Sequence, residues 1–128
     1  LKGGGSVRVP RYDFTVSRRT YDYDTAGPCR VIIFEGIFAL WDPAIRAQFD
    51  LKIYLDVDAD IRFIRRLHRD VRQRKRTLDS IIRQYYATVR PMHHQFLEPT
   101  RNHADLVVGD ETDVAAAIVA AKIKECLI

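Results

Sequence analysis

Residues 58–76, DADIRFIRRLHRDVRQRKR, carry eight Lys/Arg against three Asp, a net +5 in a chain whose total charge is +4. The basic charge is therefore local, and a local excess of arginine calls for an anion. A guanidinium suits phosphate because its planar donors bind two oxygens at once and stay charged at any working pH. At about 100° per residue, Ile61, Ile64, Leu67 and Val71 fall on one stripe and Arg62, Arg66, Arg69, Gln73 and Arg76 on the opposite side. The spacing predicts a helix held down by its apolar stripe and presenting guanidinium forks on its other face. A solvated helix face has the same charge pattern. A basic helix can also track a nucleic-acid backbone, but zinc-finger spacing, basic-zipper heptads and aromatic RNA-binding signatures are all missing. Charge alone leaves these readings open.

Other residues could do chemistry only in the right setting. Glu35 follows the apolar run Val31, Ile32, Ile33 and Phe34, which reads as a strand buried on both faces of a parallel sheet. Ligands of open α/β sheets bind beyond the carboxyl ends of strands, so Glu35 is a candidate to organise Mg²⁺ or water beside a phosphate; it could equally cap a helix. Tyr12 and Phe14 lie two apart and share one face of a strand, as an aromatic wall for a planar ligand or as plain hairpin packing. His93 and His94 are adjacent, which on a helix separates their side chains by about 100° and argues against a shared metal. Cys29 and Cys126 make no CxxC and sit in apolar surroundings, which predicts buried, reduced thiols and an intracellular setting.

The elements that must position these residues follow from pattern. At 128 residues and 47% hydrophobic content, the chain has the size of one domain with a core. No apolar run approaches the roughly 18–20 residues of a membrane span, no signal-peptide pattern is visible, and Leu1 is not an initiator. Residues 7–23 read as a β-hairpin, with a turn at Ala26, Gly27 and Pro28. Strands are predicted at 51–57 and 104–108, and a helix at 37–48 with Asp42 and Pro43 as a start signal inside it. Asp58 or Asp60 caps the arginine helix, and Thr77 caps the next, along which Leu78, Ile81, Ile82, Tyr85 and Val89 recur at helical spacing, with Gln84 on the opposite face. Pro91 should kink that helix and Pro99 end it. Thr112 or Asp113 starts a closing helix whose Val114, Ile118 and Ile123 pack inward. Strands alternating with helices make a parallel α/β sheet, yet nothing matches GxxxxGK[ST], the glycine loop that cradles nucleotide phosphates.

The segments VPRYDF, VIIFEGIFAL, RRLHRDVRQRKR, QYYATVRPMHHQFLEPT and HADLVV, in this order and at these separations, resemble the uridine kinase (uridine-cytidine kinase) family. The resemblance covers the later portion of that family's domain, an incomplete parallel-sheet kinase fold of the phosphate-loop class with a β-hairpin insertion: hairpin at 7–23, α/β core at 29–128, arginine-rich lid at about 58–76. It implies transfer of the ATP γ-phosphate to the 5′-hydroxyl of uridine or cytidine with Mg²⁺. It implies further that Tyr12 and Phe14 wall the pyrimidine, Arg66 holds the ribose, and Arg69 and Arg74 reach the phosphates. Arg76 and Gln84 would contact the base, Glu35 would stand near Mg²⁺ through water, and Asp113 would lie at the adenine end of the ATP site. Ser17 stands where the family usually has a histidine on the pyrimidine edge, Lys75 where it has a lid glycine, and VGDETD at 108–113 where it tends to Pro-Arg-Gly.

Two readings from different classes follow. In one, the chain is part of an ATP-dependent pyrimidine nucleoside kinase whose phosphate loop and catalytic aspartate lie before Leu1. In the other it is a catalytically inactive kinase-like binding or regulatory module. The expected partners are a nucleoside, ATP, and either further copies of the chain or a missing N-terminal half; the expected location is cytoplasmic, with neither membrane nor nucleic acid engaged. Without a central strand the isolated chain is expected to be unstable, rearranged or dependent on a partner.

Overall fold

The computed structural model describes residues 3–13, 16 and 18–127. The chain divides into two compact units, with the boundary between Ile33 and Phe34. The first contains β1 (Val7–Asp13) and β2 (Arg18–Ala26), an antiparallel pair. Its register runs from Val7 opposite Ala26 to Asp13 opposite Arg18, and slips between Pro10 and Tyr12. Pro10 has no N–H to give a ladder, and an irregularity beside it is the usual accommodation. The second strand runs three residues beyond the Tyr23 expected from pattern.

The second unit holds the remaining elements: α1 (Pro43–Arg46), β3 (Ile53–Leu55), α2 (Ala59–Arg72), α3 (Leu78–Gln84), α4 (Arg90–Met92), β4 (Leu106–Val108) and α5 (Asp113–Leu127). β3 and β4 are parallel, with Ile53 opposite Leu106 and Leu55 opposite Val108. The Asp105 carboxylate ties down the start of the pair, accepting from the Lys52 amide at 2.8 Å and meeting the Lys52 ammonium at 2.8 Å. The mixed α/β class with a small parallel sheet is therefore as expected.

Cap signals are obeyed at Asp42 and Thr77, whereas Asp58, expected to cap α2, makes no side-chain cap hydrogen bond. Asp42 accepts from the amides of Ala44 and Ile45 with Pro43 at the first helical position, and Thr77 accepts from the Ser80 amide at 3.4 Å. Pro91 does not stop the helix that α3 begins. The chain passes through five-residue π turns at Tyr85–Val89 and His93–Leu97 on either side of α4, then tightens to a 3₁₀ helix at Glu98–His103 that contains Pro99. Wider turns accommodate the missing proline N–H without breaking the helix.

Three expectations about burial are corrected. Residues 31–34 form no strand, and Val31, Ile32, Ile33 and Phe34 are exposed; a strand needs a hydrogen-bonded neighbour, and among the described residues β3 and β4 pair only with each other. Only α1 forms in place of the helix expected over 37–48, which leaves a turn at residues 37–41. On α5 the half-buried line is Ala115, Val119 and Ile123, while Val114 and Ile118 face outward, because an almost uniformly apolar helix has no pattern to choose its inward face. Cys29 and Cys126 are exposed free thiols rather than buried ones. Among the described residues the buried apolar side chains are Leu40, Ile81 and Val108.

Candidate functional site

The arginine helix is rotated from its expected apolar stripe, of which Ile61 and Leu67 are half-buried. Ile64 and Val71 are exposed, whereas Phe63, Arg66, Leu67 and Asp70 make the inward line. Phe63 stacks on Tyr85 with ring centroids 4.5 Å apart, and this aromatic contact fixes α2 against the helix that continues from α3. Two turns further along α2, Asp70 is fully buried. Burying a carboxylate is costly unless opposite charge and hydrogen bonds replace its water, and here arginine supplies both.

Arg69 Nε donates to Asp70 Oδ1 at 3.0 Å and Arg74 Nη1 lies 3.2 Å from the same oxygen. Arg66 Nε and Arg76 Nη1 each stand 3.6 Å from Oδ2. Gln84, reaching across from α3, accepts from Arg66 at 2.8 Å and from Arg76 at 2.6 Å, so one amide oxygen joins the two helices. Arg76 also donates to the Ser80 hydroxyl at 2.9 Å, and its backbone amide donates to the Asp70 carbonyl at 3.1 Å. The chain returns toward Asp70 because Lys75 adopts φ +51°, the left-handed region that disfavours any side chain. Where the sequence placed a lysine in a glycine's position, the backbone keeps the glycine's conformation.

The electrostatics of the cluster are lopsided. Four guanidiniums around one carboxylate leave a net +3. Burial lowers the Arg66 pKa from its ordinary value against the opposing pull of Asp70, and the guanidiniums of Arg76, Arg69 and Arg74 push it down further. Buried polar capacity is unspent: among the described residues Arg66 Nε and Asp70 Oδ2 have no hydrogen-bond partner. An open depression of about 390 Å³ lined by Arg76, Ser80, Arg83, Gln84 and Ala87 lies beside the cluster. The arrangement sets surplus positive charge beside an amide and a hydroxyl, a combination that suits an anion.

Of the residues singled out from sequence, Arg66, Arg69, Arg74, Arg76 and Gln84 are brought together. Glu35 is exposed and shares no hydrogen bond or ion pair with them. Asp113 is the first residue of α5. Tyr12 lies on β1, half exposed at 46%, in the hairpin unit. Phe14 and Ser17 lie outside the described residues. Asp70 was missed, although its spacing from Arg66 and Arg74 (i−4 and i+4) was a signal that could have found it.

His93, His94 and Glu98 bring ligand atoms within 4.8 Å of one another, closer than an ideal α-helix suggests, because a π turn runs through them. Their groups are already engaged or crowded. His94 Nδ1 lies 2.6 Å from Glu98 Oε2, the two imidazoles stand at 89°, and burial together with the Arg62 charge lowers the His93 pKa.

Comparison with known proteins gives the family. Residues 1–117 match the family model described as phosphoribulokinase / uridine kinase, and the chain belongs to that family. A uridine kinase of Clostridium perfringens is 47% identical over 129 residues, covering 99% of this chain and 62% of that protein. The uridine kinase of Staphylococcus epidermidis is 47% identical over 97% of this chain and 61% of its own length. That of Lactobacillus helveticus is 46% identical over 94% and 58%. The chain thus spans about three fifths of the length of these curated relatives. Among the described residues no helix is long and apolar enough to cross a membrane.

Proposed function

We propose that the protein carrying this chain is an ATP-dependent nucleoside kinase that phosphorylates the 5′-hydroxyl of uridine or cytidine, with this chain supplying the arginine lid and part of the nucleoside site. The observation that carries the reading is the convergence of Arg66, Arg69, Arg74 and Arg76 on Asp70, with Gln84 bridging two of them, in a member of this family. Phosphoryl transfer needs positioning and charge stabilisation more than covalent chemistry from the protein. A surplus of fixed guanidiniums provides both.

In this reading Arg69 and Arg74 meet the transferring phosphate, Arg66 holds the ribose, and Arg76 with Gln84 faces the base across the adjoining depression. Asp113 lies at the adenine end. The cluster fits a polyphosphate, since its donors far outnumber the acceptors it encloses. Glu35 offers one exposed carboxylate, which suits Mg²⁺ because that ion keeps most of its waters; the ion would offset phosphate charge when bound. The glycine phosphate loop has no counterpart in this sequence, so ATP binding requires residues from elsewhere in the assembled enzyme, another part of the same polypeptide or a partner.

The test is ATP- and Mg²⁺-dependent conversion of uridine and cytidine to their monophosphates by the natural full-length product containing this sequence, with its intact mass measured on the same sample. Turnover of either nucleoside is expected. Absence of turnover for both at saturating ATP would overturn the reading in favour of a binding or regulatory module.

A further inference from the structure

Arginines in a cluster repel one another, so something must hold four of them within reach of a single ligand before the ligand arrives. We infer that Asp70 is a positioning residue, a buried anionic hub that fixes the guanidiniums of Arg69 and Arg74 in the orientation that receives phosphate. The inference deepens the proposed kinase function and rests on it for the identity of the phosphate.

The geometry supports a hub rather than an ordinary ion pair. Each guanidinium carries roughly five N–H donors, and a carboxylate offers roughly four acceptor directions. Asp70 can therefore hold only one edge of each arginine. Their exposure agrees: the Asp70 side chain is fully buried while those of Arg69 and Arg74 are 47% and 36% exposed. Each of the two keeps one end on the buried oxygen Oδ1 and another toward solvent. Asp70 also holds the approach of the chain, since its carbonyl accepts the Arg76 amide across the left-handed turn at Lys75. Carboxylate and carbonyl of one residue thus fix both the side chains and the loop that carries Arg74 and Arg76. Charges fixed in advance need no reorganisation during the reaction, the condition under which they stabilise a transferring group most.

The sign of one measurement separates this role from simple electrostatics. Replacing Asp70 by asparagine raises the cluster's charge by one unit, and Coulomb attraction alone would then tighten anion binding. Loss of positioning predicts weaker binding. The experiment uses the natural full-length protein, with inorganic tripolyphosphate as probe in calorimetry and uridine phosphorylation as the kinetic readout. Asp70→Asn is expected to weaken tripolyphosphate binding and to lower kcat by about tenfold or more, with KM for uridine within about twofold, a change of no more than roughly 0.4 kcal/mol. Arg72→Gln, on the same helix but outside the cluster, should match the wild type. Tighter tripolyphosphate binding with unchanged kcat in Asp70→Asn would overturn the inference.

If the wild type binds tripolyphosphate in this Asp70-dependent way yet phosphorylates no nucleoside, the kinase reading fails and the positioning role stands. If it phosphorylates uridine while Asp70→Asn is indistinguishable from it, the reverse holds. Should Asp70→Asn fail to fold, nitrogen NMR of the arginine guanidinium N–H groups, Nε of Arg69 and Nη of Arg74, in the unliganded wild type decides the point. Separate, slowly exchanging signals for Arg69 and Arg74 are expected, and a single solvent-averaged set would overturn the inference.

Discussion

Two arginine–aspartate arrangements in this molecule have similar distances and opposite consequences. In the hairpin, Arg11 Nη2 lies 2.6 Å from Asp24 Oδ1, with the two side chains 61% and 60% exposed. In the second unit Asp70 has no exposure at all and four arginines at 3.0 to 3.6 Å. The shorter contact is the weaker one, because water solvates both partners with or without it and salt screens what remains. Asp70 has given up its water, so every charge near it acts at low dielectric and none can be removed cheaply. Solvation, rather than separation, decides which pair organises its surroundings.

The largest effect that sharpens this contrast is on Asp70 itself. Asp70→Ala is expected to destabilise the protein by about 2–3 kcal/mol, because it leaves four crowded, partly solvated guanidiniums without a counter-charge, a loss that solvent screening holds below that of a fully buried pair; denaturant titration measures it, and a loss below about 1 kcal/mol would place Asp70 with the exposed pairs. Next comes chemistry. Arg74→Gln is expected to lower kcat for uridine phosphorylation by about a hundredfold, the usual consequence of removing one donor aimed at developing charge. Steady-state kinetics near wild type would remove Arg74 from the phosphate path and leave it a structural partner of Asp70 alone.

A smaller effect concerns the turn between the two halves of the cluster. Lys75→Gly relieves a left-handed side chain at the cost of a more flexible unfolded chain, for an expected net gain of about 0.5 kcal/mol. A lower unfolding midpoint in that variant would mean that the lysine side chain contributes more than its backbone strain removes.

The smallest effect is the control for the whole comparison. Asp24→Asn should leave the thermal midpoint at neutral pH unchanged. The hydrogen bond from Arg11 holds the Asp24 carboxyl below its ordinary pKa of 3.8. What the pair contributes is thus present above that pH and lost as pH falls through the lowered value. Exposure makes the contribution small and salt-sensitive. A midpoint that drops in Asp24→Asn at neutral pH and high salt would break the distinction between the two regions.

Much of the site was legible in the chain. Arg66, Arg69, Arg74, Arg76 and Gln84 could be named from residue type, spacing and resemblance, and the caps at Asp42 and Thr77 from chemistry that is complete within a few residues. The direction in which the arginine helix faces was not legible. Periodicity scores apolar side chains as inward, and on that scale Ile64 and Val71 outrank an aspartate; a buried carboxylate with its own arginines reverses the order, and no count along one helix contains the partners that make burial affordable. The convergence of His93, His94 and Glu98 escaped for a related reason, since a π turn around Pro91 replaces the ideal helical angle.

The sequence by itself determined the local and additive properties of this protein: where charge concentrates, the helix caps at Asp42 and Thr77, the strands that became β3 and β4, and which family the motifs resemble. Only the tertiary structure decided which charges meet. Asp70 and Gln84 become parts of one site because α2 and α3 fold back on each other across a left-handed residue, and the value of each contact depends on the water excluded when they do. Burial is a property of the assembled surroundings, and for that reason the same two residue types make an exposed pair in the hairpin and a buried cluster around Asp70 in the second unit.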